Sequence, residues 1–300
     1  MRQDPFGQAG RQGQAPRRRG SGLGGLRWLV LLGFLVYGGC YYFSNRTQDP
    51  YTGETVLIDG SIGPEQERAM GLQAYQEILS QERPLPKSDR TSQQITAIAQ
   101  RLIDKVPEVT AELAAEHGMA APEHWRQFEW DVNVIPSDQA NAFCLPGGKM
   151  AVYTGLIPVA QTQDAMAVVM GHEIAHALLR HGAQRMSQQK LAQIGQMAGA
   201  ASGMDPQQQQ MVMAAMGYGY LLPYARTHET QADEVGLMLA AAACYDPNEA
   251  IGLWERMSGA SGGQAPPEFA STHPNPGTRI QTLQSLMPKA MAYREKFCRQ

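Results

Sequence analysis

The sequence predicts an α+β fold, mainly helical, with a small β-sheet beside the helices and one transmembrane helix ahead of the soluble domain. Three observations carry this reading. Apolar residues recur at helical spacing through most of the chain from Pro64 onward. The period changes to alternation around residues 128–154. An uncharged run, Trp28 to Asn45, follows an arginine cluster near the N-terminus. The 300 residues carry 25 Lys+Arg and 28 Asp+Glu, a net charge of −3, a balance that argues against a partner such as nucleic acid. An apolar fraction of 43% supports a sizeable core and excludes global disorder. Four cysteines are too few for a disulfide-built scaffold.

Residues 1–22 are rich in Gly, Gln and Arg and bury too little apolar surface to offset ordering, so a disordered basic cytoplasmic tail is expected. Residues 23–45 are expected to be a transmembrane signal anchor. Its apolar run is short but adequate for a bilayer, Arg17, Arg18, Arg19 and Arg27 flank its start, and Trp28, Tyr41 and Tyr42 mark its ends. The positive-inside rule places the N-terminus in the cytoplasm and residues 46–300 across the inner membrane, in the periplasm. Gly38-Gly39-Cys40 is a poor signal-cleavage site; lipoprotein processing at Cys40 is the alternative.

Within residues 46–300 the spacing predicts a helix over 64–81, with Pro64 in its first turn and Met70, Leu72, Tyr75, Ile78 and Leu79 inward. A second helix covers 90–107 through Ile95, Ile98, Leu102, Ile103 and Val106. Phe128–Ile135 alternates as a strand, Asn141–Met150 and then Ala151–Thr154 follow, and the Pro146-Gly147-Gly148 turn predicts a hairpin there. A helix resumes at Asp164 and runs past His181. Residues 187–220, rich in Gln, Ala, Met and Gly, read as two helices around a loop near Ser202–Pro206, either a flap or ordinary packing. In an exported domain Cys244 and Cys298 are the favoured disulfide, with free thiols as the alternative.

The chemistry centres on His172-Glu173-Ile174-Ala175-His176. At i and i+4 of a helix the two imidazoles face one point, and Glu173 can reach a water there; this is the H-E-x-x-H arrangement of zinc hydrolases. It lies inside an apolar helix, where two imidazoles and a carboxylate are costly unless paired or metal-bound. The metzincin continuation fails, because Leu179 and Gly182 stand where glycine and histidine are required. His181, about 140° further round a continuous helix, is expected at the surface or behind the ligands. The third ligand is sought downstream. Glu229 and Asp233 are again i, i+4, so Glu229 can bind zinc while Asp233 orients a ligand histidine; His228 is the competing ligand.

HEIAH, ETQAD, the upstream NAFCLPGGKMAVYTGLI and the later STHPNPGTRI occur together in order. On these motifs the domain resembles the gluzincin zinc metallopeptidases of the CAAX prenyl protease, HtpX and BepA type, from about Pro64 to Leu286. The resemblance implies a zincin-like domain with one Zn2+ per chain, held by His172, His176 and Glu229, and Glu173 as general base. It implies that Asn141, Ala142, Phe143 and Cys144 belong to an edge strand that holds extended substrate. It places His273 and Arg279 near the substrate or the transition-state oxyanion, with Asn275 capping a helix that starts at Pro276. The expected activity is hydrolysis of internal peptide bonds in misfolded or misassembled envelope proteins. A metal-bearing chaperone with minor proteolysis and a dedicated processing peptidase are the alternatives.

Overall fold

The computed structural model of the protein describes residues 23–259, Phe269, His273 and residues 276–298. The elements are α1 (Leu23–Ser44), β1 (Arg46–Gln48), β2 (Thr55–Leu57), α2 (Pro64–Gln81), α3 (Arg90–Glu116), β3 (Asp131–Ile135), β4 (Ala142–Leu145), β5 (Lys149–Tyr153), α4 (Ile157–Ala160), α5 (Gln163–Leu178), α6 (His181–Ala201), α7 (Pro206–Met216), α8 (Leu222–Ala242), α9 (Glu249–Gly259) and α10 (Pro276–Cys298). They form the expected mainly helical domain with small sheets. The tail at 1–22 and the cap at Asn275 lie outside the described residues.

Helix α2 starts at Pro64 as expected, but Met70 and Leu72 are exposed rather than inward. The buried face is instead Glu67, Gly71 and Tyr75, because α2 docks on the hairpin turn at Gly71, where a Cβ would lie 2.0 Å from the Pro146 carbonyl oxygen. Helix α3 is capped by Asp89, which accepts from Thr91 N and Ser92 N. It continues through Pro107 instead of ending there. An interior proline costs about 3 kcal/mol, which the burial of Val109 and Leu113 at about 1.5–3 kcal/mol each offsets.

The main sheet has the order β3-β5-β4, with β3 parallel and β4 antiparallel to the central β5. The predicted strand at 128–135 forms only from Asp131, and Phe128 and Trp130 pack against the core instead. Gly148 closes the hairpin at φ +81°, and a Cβ there would stand 2.8 Å from the Trp130 ring, space that no side chain could enter. That leaves β4 on the outer edge. A two-stranded sheet, β1–β2, has no counterpart in the sequence reading.

The centre of the domain is the crossing of α5 and α8. A Cβ on Gly236 would stand 2.6 Å from His172 N, and one on Gly171 2.7 Å from Gly236 O. The two backbones therefore touch. Helix α5 does not run past His181; it ends at Leu178, and Arg180 turns left-handed at φ 55° before α6 begins. The Arg180 guanidinium, bonded to Glu67 and to Ile62 O, holds that break in place. Cys244 and Cys298 form a disulfide with a Cα–Cα distance of 5.6 Å, joining the end of α10 to the segment after α8; Cys40 and Cys144 are free. Helix α1 lies against α6, and among the described residues no helix is long and apolar enough to cross a membrane.

Candidate active site

The touching backbones bring one face of α5 against one face of α8, and the polar residues of this apolar interior meet there. His172 and His176 come from α5, Glu229 from α8, and His273 from the segment before α10. Their ligand-capable atoms all lie within 4.8 Å of one another. His176 Nε2 is 3.0 Å from His172 Nε2 and 3.6 Å from Glu229 Oε1, and His172 Nε2 is 3.4 Å from Glu229 Oε2. His273 Nδ1 approaches Glu229 Oε2 at 2.7 Å.

Each histidine on α5 is held by its other ring nitrogen. His172 Nδ1 meets Asp233 Oδ1 at 3.0 Å, the orienting contact read from the i, i+4 spacing of Glu229 and Asp233. His176 Nδ1 meets His181 Nδ1 at 2.7 Å, and that partner is not at the surface. His181 is buried, because the break at Arg180 swings it back toward the site. Its Nε2 reaches Gln231 Oε1 at 3.0 Å, and Gln231 Nε2 donates to Glu54 Oε2 at 2.8 Å. The protons then follow in order. A carboxylate only accepts, so Gln231 turns its amide nitrogen to Glu54 and its oxygen to His181. His181 donates from Nε2 and accepts at Nδ1 from His176, which leaves the His176 Nε2 lone pair facing the cluster. Burial and the neighbouring His228 keep the His181 ring neutral. No spacing rule could have found this relay, since Glu54, His181 and Gln231 are joined only by the fold.

His228, the competing ligand, points away from the cluster. It stacks on His181 at 4.2 Å and bonds Gln184 Oε1 at 3.0 Å. Arg279, which the resemblance put near the substrate or the transition-state oxyanion, has its guanidinium buried behind the cluster, bonded to Asp233 Oδ1 at 2.5 Å and Glu229 Oε2 at 3.1 Å, 4.0 Å over the Trp254 ring. It is occupied in holding the two acids.

The pocket is built for positive charge. Burial alone would raise the Glu229 carboxyl, but hydrogen bonds with His172 and His273 hold it well below the usual range. Burial and Arg279 would lower His172, yet Asp233 and Glu229 raise it to about 9. Glu173 is buried and pushed upward by desolvation, and its Oε1 has no hydrogen-bond partner among the described residues. Two imidazoles and a carboxylate, with a buried Glu173 oxygen that makes no hydrogen bond among the described residues and lies 3.5 Å from His273 Nε2, suit a Zn2+ site of the His₂Glu type.

Beside the cluster lies a cleft of about 290 Å³, bordered by Asn141, Ala142, Phe143 and Cys144 on one side and by Glu173, His176, Glu229 and His273 on the other. A larger apolar cavity of about 520 Å³, between α6, α7 and α8, adjoins it at Arg185 and holds none of these acids.

An H-E-x-x-H helix crossed by a glutamate-bearing helix defines a zinc metallopeptidase of the gluzincin class. The profile of Peptidase family M48 matches residues 101–287, and the chain belongs to that family: it is a zinc metalloendopeptidase. Among its relatives is the mitochondrial metalloendopeptidase OMA1 of Schizosaccharomyces pombe, 34% identical over 275 residues, covering 90% of this chain and 75% of that one. The human metalloendopeptidase OMA1, mitochondrial, is 29% identical over 285 residues, covering 90% and 52%. The β-barrel assembly-enhancing protease of Escherichia coli is 27% identical over 157 residues, covering 49% and 32%. The resemblance to the BepA type stands, and OMA1-type relatives join it.

Proposed function

We propose that this metalloendopeptidase cuts misfolded or misassembled envelope proteins, tethered to the inner membrane by residues 23–45 with residues 46–300 on the periplasmic side. The apolar run behind the arginine cluster supports the tether, and the Cys244–Cys298 disulfide suits an oxidising compartment. A relative named for enhancing β-barrel assembly supports the substrate class.

His172, His176 and Glu229 hold the zinc, with Asp233 and the His181 relay orienting the two imidazoles. When bound, the ion acts as a Lewis acid that polarises a carbonyl and eases deprotonation of water. An extended substrate pairs its main chain with the outer edge of β4 at Asn141–Cys144, which gives sequence-tolerant binding. Glu173 takes a proton from the attacking water and returns it to the leaving amine. His273, at the cleft, donates a hydrogen bond to the oxygen that gains charge. Arg279 positions Glu229 and Asp233.

The observation that carries the reading is Glu173 Oε1, buried beside the ligand cluster with no hydrogen-bond partner among the described residues and with His273 Nε2 3.5 Å away. Its test is Glu173→Gln assayed on unfolded casein with zinc quantified. The variant should retain zinc and lose cleavage; cleavage at the wild-type rate would remove Glu173 from the role of base.

A further inference from the structure

The Gln-, Met- and Gly-rich segment after the H-E-x-x-H helix takes no part in the site. Helix α7 has no buried residue at all, although it carries Met211, Val212, Met213 and Met216. Met197, Met211, Val212, Tyr218 and Leu222 are all exposed, Tyr218 by 76% and Met211 by 61%. Between Lys190 and Arg226 the sole charged residue is Asp205. This charge-poor surface pairs the apolar side chains with the glutamines of 207–210, and an exposed apolar patch of this kind on a folded domain marks an interaction site.

The packing of α1 says what covers it. Of the α1 side chains from Trp28 on, Leu31, Phe34, Gly38 and Tyr41 form the less exposed stripe, and that stripe faces α6. The Tyr41 hydroxyl donates to Ser187 O, while a Cβ on Gly38 would meet Ile194 at 3.4 Å. As α6 advances from 187 to 194, α1 retreats from 41 to 38, so the helices are antiparallel. The remainder of α6 therefore continues alongside the apolar run of α1, away from the catalytic cleft. Helix α7 folds back on it, with Met216 3.2 Å from the Cβ position of Gly195 and Met204 3.4 Å from that of Gly199. At the base of this hairpin a polar-aromatic collar gathers. Lys190 lies 5.1 Å over the Tyr41 ring and Arg46 5.2 Å over the Tyr42 ring, and Tyr220 and Tyr224 pair at 5.2 Å. Tyrosines with lysine and arginine are the residues that favour the membrane–water boundary.

We propose that the part of the α6–α7 hairpin beyond Lys190, from Leu191 through Gly219, is embedded in the lipid bilayer beside α1, with the collar at headgroup level. This rests on the reading of residues 23–45 as a membrane anchor. The hairpin does not span; it enters the leaflet on the side of the catalytic domain. Its lone acid, Asp205, sits in the connecting turn and accepts from Gln208 N. The cleft, which shares Arg185 with the cavity under the hairpin, is thereby held close to the membrane surface.

The test uses the full chain with Cys40→Ser and Cys144→Ala, leaving the Cys244–Cys298 disulfide. Single cysteines replace Met211, Tyr218, Val36 on α1, or Gln284 on α10, each carrying an environment-sensitive fluorophore. The protein is reconstituted in phosphatidylethanolamine–phosphatidylglycerol vesicles containing doxyl-labelled phosphatidylcholine, and aqueous iodide gives the converse readout. The expected result is loss of emission to the lipid quencher at 211, 218 and 36, with 284 quenched by iodide only. Quenching by lipid at 36 but by iodide at 211 and 218 overturns the hairpin proposal and leaves the anchor standing. Lipid quenching at 211 and 218 without 36 supports the hairpin and refutes the anchor. Iodide quenching at all four positions overturns both.

Discussion

Replacing Gly236 with alanine tests the helix crossing on which the site depends, because two effects of opposite sign compete there. Alanine in a helix interior is favoured over glycine by about 1 kcal/mol, so an isolated α8 would gain stability. At the crossing the new Cβ would lie 2.6 Å from His172 N, 2.7 Å from His172 Cα and 2.8 Å from Gly171 C, where ordinary contact starts at 3.4 Å. All three are backbone atoms, so no rotamer change relieves them, and the helices must part by roughly 0.8 Å against an overpacking cost of about 1–3 kcal/mol. The net expectation is a loss of up to about 2 kcal/mol. His172 rides on one helix and Glu229 and Asp233 on the other, so the same displacement spreads the ligands, and a shift near 1 Å costs on the order of 10²-fold in rate. Urea unfolding and casein cleavage at saturating zinc read the two effects separately. A variant that is about 1 kcal/mol more stable and fully active would refute the tight crossing.

Three further outcomes follow from the same geometry. His181→Leu removes the acceptor for His176 Nδ1 and should weaken zinc about 10–100-fold in chelator competition, with circular dichroism unchanged; unaltered affinity would sink the relay. His124, whose ring bonds Leu178 O at 3.0 Å, is lowered by burial, and secondarily by Arg180, to about 4. The unfolded chain takes up a proton near pH 6.5 that the folded one refuses until about 4, so this contribution is intact above 6.5 and is lost as pH falls through that window. At 1.36 kcal/mol per unit the effect reaches about 3 kcal/mol, and His124→Gln should flatten the acid side of the stability profile accordingly; a profile as steep as wild type would contradict it. Cys298→Ser opens a loop of sequence separation 54 and should lower unfolding stability by about 2–4 kcal/mol, whereas an unchanged urea midpoint would show the chain end to be held by packing alone.

What the sequence made legible was local. Periodicity located α2, α5 and the β4–β5 hairpin because each rests on contacts within a few residues. Glu229 could be preferred to His228 because Asp233 follows it by one helical turn on the same face. The errors came where distant segments decide. Met70 and Leu72 fit a helical stripe, yet Gly71 takes the buried place because the Pro146 turn needs a position without a side chain. Pro107 looks like a helix end, but Val109 and Leu113 carry the buried face beyond it. The helix from Asp164 does not continue past His181: the left-handed Arg180, fixed by Glu67 more than a hundred positions away in sequence, ends it, and of the two places expected for His181 the ring takes the one behind the ligands. The contacts of Arg279 with Asp233 and Glu229 are likewise visible only in the fold.

The central claim is that the crossing of α5 and α8 assembles one zinc site from imidazole and carboxylate groups. Zinc content with K-edge absorption on the purified protein tests it most directly. The account predicts one zinc per chain in a shell of nitrogen and oxygen at about 2.0–2.2 Å. A sulfur scatterer at about 2.3 Å, which Cys144 beside the cleft would supply, or cleavage by protein that contains no zinc, would contradict it.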